Sequence, residues 1–170
     1  MKCYNIMDVS GDRAVRVGVS TLVDYTVPLE TLLQLVRDAG FNAVAFGHKV
    51  THFPYFEKEH VAKAANLCSK LGLFVDYVHA PIDIFLDLST PNDYARAATI
   101  LTYRFTIDAV RELGGRAVTA HLSNIESISE DEVLRRMPFA HDSIKKLTEY
   151  ARDQGILFCL ENLPFPYSYH

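Results

Sequence analysis

Apolar residues in this chain of 170 arrive in two alternating rhythms. Short, β-branched runs stand at Arg16–Ser20, Asn42–Phe46, Leu73–Val78, Arg116–Ala120 and Ile156–Leu160. Each of the first four gives way to a longer stretch of helical period. Leu29, Leu32, Leu33 and Val36 recur at three- and four-residue spacing, with Pro28 suited to open that helix and Gly40 to end it. A second helix, Glu57–Leu71, puts Val61, Ala64, Ala65, Cys68 and Leu71 on one face ahead of Gly72. A third, Pro91–Leu113, takes Thr90 as its cap and Tyr94, Ala98, Leu101, Phe105 and Val110 as its apolar stripe. The fourth opens on the capping-box spacing Ser129-x-x-Glu132, which satisfies two orphan amides. Pro138 is expected to break it, with a fresh helix running on to Gln154.

Strands that are apolar throughout, separated by helices, predict a parallel sheet covered on its faces. The βα unit repeats four and a half times with no linker and no shift in composition, so residues 1–170 read as one domain. Only ten residues follow Leu160, and Pro164 and Pro166 exclude a regular helix among them. A doubly wound five-stranded sheet would want one more covering helix. A (β/α)8 barrel, at about 250 residues, would want three more units. Both fit the pattern as the first part of a larger fold.

Charge and cysteine usage narrow the partners. With 17 Lys+Arg against 21 Asp+Glu the net charge is −4, and no basic surplus is available for a phosphate backbone. Arg135-Arg136 and Lys145-Lys146 stand among acids and read as solvated helix faces. Nucleic acid is therefore not an expected partner. No run approaches the roughly 20 apolar residues of a membrane helix. Asp8, Asp12 and Arg13 interrupt any apolar leader. Cys3, Cys68 and Cys159 fall at unrelated spacings, and Cys159, inside an apolar run, is expected to be a small buried hydrophobe. A reduced, cytoplasmic setting fits this pattern.

Ligands of parallel α/β folds gather at the carboxyl ends of the strands. Here those ends read Ser20-Thr21, Gly47-His48, His79, His121 and Glu161-Asn162. Imidazole and carboxylate together suit Zn²⁺, Mn²⁺ or Co²⁺. A carboxylate directly after five apolar residues is costly unless paired or metal-bound, which singles out Glu161. His79, His121 and Glu161 are thus the candidate metal ligands. His48 and Asn162 stand beside them as candidate substrate contacts. Asp76 and Asp83 read as structural, and His52, His60 and His141 as surface residues in loops or helices.

The segments Val17–Thr21, Tyr77–Pro81, Ala117–His121 and Leu160–Pro164, in this order, resemble the sugar phosphate isomerase/epimerase group. That group belongs to the xylose-isomerase-like TIM-barrel superfamily, which also holds the abasic-site endonuclease. The resemblance implies a (β/α)8 barrel domain over residues 1–170, truncated after strand five, with five strands and four helices. It implies a divalent metal at the carboxyl mouth, held by His79, His121 and Glu161, with Glu161 also moving a proton. The expected activity is isomerisation or epimerisation of a sugar or sugar phosphate through an enediolate. The family's remaining ligands and second catalytic glutamate come from strands six to eight, which this chain lacks. An abasic-site endonuclease-like phosphodiesterase, disfavoured by the acidic balance, and a catalytically silent fragment or binding module are the alternatives. Unpaired apolar strands at both sheet edges predict a homo-oligomer.

Overall fold

The computed structural model describes residues 16–123 and 129–161. The elements are β1 (Gly18–Ser20), a 3-10 turn (Thr21–Val23), α1 (Leu29–Asp38), β2 (Ala43–Phe46), α2 (Lys58–Leu71), β3 (Phe74–His79), α3 (Asp93–Glu112), β4 (Ala117–Ala120), α4 (Glu130–Asp153) and β5 (Leu157–Leu160). All pair in parallel, in the spatial order β1-β2-β3-β4-β5. A doubly wound sheet reverses its strand order at a switch point, whereas a barrel adds each strand beside the last. The observed order is the barrel's. The two architectures left open by the apolar pattern are separated here.

Residues alternate along the strands, with one register shift in the β2–β3 pairing that brings both Val75 and Val78 to the buried side, so the sheet has one helix-covered face and one facing the barrel axis. Val44, Phe46, Val75, Val78 and Val118 are buried on the covered side, in one core with Leu33, Tyr103, Ile107 and Leu147 from the helices. Gly72, in the left-handed conformation at φ 64°, turns the chain from α2 straight into β3. Cys159 is exposed rather than buried. It sits on β5, which is paired on one side only among the described residues, while its neighbour Phe158 packs on the core.

Three local expectations are corrected. The cap of α3 is Asn92, whose side chain accepts from the amides of Tyr94 and Ala95, and not Thr90, which accepts instead from the amide of Asn92. The inward face of α3 is Thr99, Ile100, Tyr103, Thr106, Ile107 and Val110, while Tyr94, Leu101 and Phe105 face outward. Thr99 and Thr106 can be buried because their hydroxyls donate to the carbonyls of Ala95 and Thr102, four residues back. Pro138 does not break α4, which runs unbroken from Glu130 to Asp153. Its ring is on the exposed side, as is Leu134 four residues earlier, so water is at hand for the carbonyl that loses its amide partner. Of the expected capping box the serine half is present, the Ser129 hydroxyl accepting from the amide of Glu132, while the Glu132 carboxylate pairs with Arg135 and Arg136.

Among the described residues no helix is long and apolar enough to cross a membrane.

Candidate metal centre

Parallel pairing puts every strand's carboxyl end on one rim, and three chemically distinctive side chains meet there. His79 is the last residue of β3, and His121 and Glu161 each follow the last residue of β4 and β5. The ladder continues past the strands: the amide of Ala80 donates to Thr119 at 2.7 Å, and that of Glu161 to Ala120 at 3.0 Å. Backbone hydrogen bonds thus set the relative heights of the three residues before any side chain interacts.

Oε2 of Glu161 lies 3.0 Å from Nε2 of His79 and 3.3 Å from Nε2 of His121. The two imidazoles meet edge to face, centroids 5.0 Å apart and planes at 86°. One donor atom from each of the three residues falls within 4.8 Å of the others. Nδ1 of His79 is 2.7 Å from the carbonyl oxygen of Ala80. A carbonyl only accepts, so Nδ1 carries a proton and Nε2 is the nitrogen turned to Glu161. Lone pair against carboxylate is repulsive unless a proton or a metal ion lies between them. Two imidazole nitrogens and a carboxylate oxygen, one ring already oriented by a backbone carbonyl, form a donor set that fits a divalent cation.

The electrostatics agree. Burial pushes the Glu161 carboxyl up, but the hydrogen bonds and charges of His79 and His121 together outweigh it and hold the group below the usual carboxylate range. The imidazole of His48 is pushed down, by burial first and then by the charges of His79, His121 and Lys49.

His121 is further held from behind. The buried Tyr103 hydroxyl approaches its carbonyl at 3.4 Å. The next residue, Leu122, accepts from the amide of Leu88 at 3.0 Å. Leu88 belongs to the loop between β3 and α3, and that loop is anchored to α4 twice. Arg136 donates to the buried Asp87 at 2.6 Å, and the Ser143 hydroxyl donates to the Leu88 carbonyl at 2.7 Å. Asp87 also accepts from the amide and hydroxyl of Ser89.

Of the other expected site residues, His48 stands beside the triad, its ring 5.7 Å from that of His79. Asn162 lies outside the described residues. His60 is exposed against Glu57 and His141 is exposed, as expected. His52 is not a surface residue: it is half-buried, its Nε2 bonded to the carbonyl of Val27 at 2.9 Å. Tyr25 escaped the sequence reading altogether. Its ring lies 5.7 Å from His48 and 5.2 Å from His52, and nothing in the spacing of a Tyr within Asp24–Val27 announces that contact.

Residues 33–170 match the family described as xylose isomerase-like TIM barrel. The chain belongs to this family. A protein of Methanocaldococcus jannaschii, MJ1311, is 26% identical over 152 residues, covering 88% of this chain and 50% of that protein. Among solved structures, a D-tagatose 3-epimerase-like protein superposes with a TM-score of 0.77 at 24% identity, covering 91% of this chain and 55% of its own. D-Psicose 3-epimerase from Clostridium cellulolyticum H10, solved with D-tagatose, gives 0.75 at 16% identity, with coverages of 91% and 55%. The chain therefore spans about half the length of the xylose isomerase-like proteins it matches. Five parallel strands and four helices of that barrel are what the described residues form. The resemblance to the xylose-isomerase-like TIM-barrel superfamily is borne out.

Proposed function

We propose that this chain supplies half of the active site of a metal-dependent sugar or sugar-phosphate isomerase/epimerase. The observation that carries this reading is the convergence of His79, His121 and Glu161 within 4.8 Å on the carboxyl rim of a xylose isomerase-like sheet. A divalent cation bound there, Zn²⁺, Mn²⁺ or Co²⁺, would supply polarisation of a substrate carbonyl or hydroxyl and offset charge on an enediolate. Nε2 of His79 and of His121 and Oε2 of Glu161 would hold it. The protonated Nδ1 of His79, tied to the Ala80 carbonyl, keeps that ring turned to the rim. On this reading Glu161 is the carboxylate that takes a proton from a carbon beside a carbonyl. His48, at the same rim, and Asn162, next in sequence to Glu161, would bind substrate hydroxyls. A 3-epimerase needs a second base on the opposite face of the sugar, and that base lies outside the residues described here. One of the solved structures named above is by its title a D-psicose 3-epimerase with D-tagatose, both ketohexoses, and we extend that substrate class to this chain.

The test has two parts. Titration of the metal-stripped protein with Co²⁺ is expected to show one site per chain, with the absorption bands of a nitrogen- and oxygen-ligated ion. Incubation of the loaded protein with a ketohexose in D₂O is expected to put deuterium on the carbon next to the carbonyl. Failure to take up Co²⁺, Zn²⁺ or Mn²⁺ would overturn the metal reading. Metal uptake with no exchange, alone and together with a chain carrying the other half of such a barrel, would overturn the catalytic one.

A further inference from the structure

Tyr25, from the loop between β1 and α1, reaches across to the turn after β2 and is held there in an unusual way. Its hydroxyl is buried and makes no hydrogen bond of ordinary geometry among the described residues, with the backbone of His48 and Lys49 beside it. The hydroxyl occupies a notch over Gly47. A Cβ on Gly47 would overlap that oxygen and lie 3.0 Å from Cζ of the ring. Gly47 is tied in turn to the barrel rim, its amide donating to Oγ1 of the fully buried Thr21 at 2.9 Å. Lys49 brings its ammonium to 5.4 Å from the centre of the Tyr25 ring, which closes the turn over the phenol.

The residue between Gly47 and Lys49 is His48. Its ring meets Tyr25 on one side at 5.7 Å and 81°, and His79 on the other at 5.7 Å and 70°. His79 meets His121 at 5.0 Å and 86°. Four rings thus run edge to face from the β1 loop into the donor triad. Such contacts favour one mutual orientation over free rotation.

We propose that Tyr25 is a positioning residue: seated in the notch that Gly47 leaves, it fixes the His48 imidazole edge-on to His79 and so braces the metal-binding face of the barrel rim. Tyr25 touches none of the three donors, and its effect passes through His48. The role deepens the metal reading of the triad and rests on it for its consequence at the ion, but the orientation of His48 is measurable with no ion present.

The experiment reads both. In the metal-free protein, nuclear Overhauser contacts between the rings of His48 and His79 are expected in the native chain and in Tyr25→Phe. They should fall at least about threefold in Tyr25→Leu, where the distance no longer holds. Gly47→Ala should weaken them as well, and Tyr25→Phe should relieve that effect in the double variant, because the overlapping oxygen is gone. Gly47→Ala also serves if Tyr25→Leu does not fold. With Co²⁺ alone as probe, Tyr25→Leu should raise the dissociation constant about tenfold, the size expected for a residue supporting a metal ligand. On a His48→Ala background the same change should have little further effect. Undiminished His48–His79 contacts in Tyr25→Leu would overturn the proposal, as would additive effects of Tyr25→Leu and His48→Ala on Co²⁺ binding. If the native chain takes up no Co²⁺, the metal reading fails by itself, and the ring contacts still decide the role of Tyr25.

Discussion

Glu161 approaches His79 at 3.0 Å across 82 residues of sequence, and the histidine nitrogen it meets is the one turned away from the Ala80 carbonyl. Such a pair is stable only with a cation or a shared proton between its members. Glu161→Gln keeps the shape and removes the charge. It is expected to lower Co²⁺ affinity on the order of a hundredfold, beyond what outer-shell changes bring. Folding should be little affected, because the Glu161 side chain is 42% exposed. Calorimetric titration and a thermal melt of the metal-free variant check both halves, and unchanged affinity would place the metal elsewhere.

Removal of the ion gives a second outcome. A ligand that binds only the folded chain stabilises it by about 2.7 kcal/mol at a hundred times its dissociation constant. Adding Co²⁺ at that level to metal-stripped protein should therefore raise Tm by roughly 5–10 °C, at the 2–4 °C per kcal/mol usual for chains near this length. His121→Ala should abolish most of the rise. A metal-induced shift that survives this substitution would mean the ion stabilises some other site.

The ion pair Arg136–Asp87 is 17% and 9% exposed by side chain and holds the β3–α3 loop against α4. Asp87→Ala strips the buried guanidinium of one carboxylate while Glu132 still accepts from its Nε. The expected loss is about 3 kcal/mol, the lower end for breaking a buried pair. Urea denaturation measures it. A loss below 1 kcal/mol would show that the loop is held by Ser143 and the Leu88 backbone alone.

Pro138 sits inside α4 on its exposed side. Restoring the amide with Pro138→Ala should stabilise the protein by roughly 1–3 kcal/mol, less than the full helix-interior penalty because proline also restrains the unfolded chain. A destabilised variant would mean that the ring makes a contact worth more than the lost hydrogen bond.

Self-association is the last expectation. Leu157 is 61% and Leu160 39% exposed on β5, a strand with a partner on one side only among the described residues. Open strand edges with apolar side chains recruit further strands. The 170-residue chain by itself is expected to sediment as a dimer or larger at micromolar concentration, and a well-folded monomer would overturn this.

The sequence determined the succession of elements and the residues at the strand ends. Both follow from short-range rules: a strand buried on both faces must be apolar, a helix must bury a stripe, and glycines such as Gly72 mark where one yields to the next. His79, His121 and Glu161 were visible for the same reason, since parallel pairing sends all carboxyl ends to one rim whatever the packing. Tertiary structure decided what has no local cause. Apolar residues on both faces of α3 pointed the sequence reading to the stripe of Tyr94, Leu101 and Phe105, whereas the structure buries the face on which Thr99 and Thr106 satisfy their own hydroxyls. Pro138 could stay in a helix only because its face is wet. The seat of Tyr25 over Gly47 depends on two loops meeting across 22 residues. No periodicity encodes such a meeting, because it is set by how β1 and β2 pair and not by either loop's own preference.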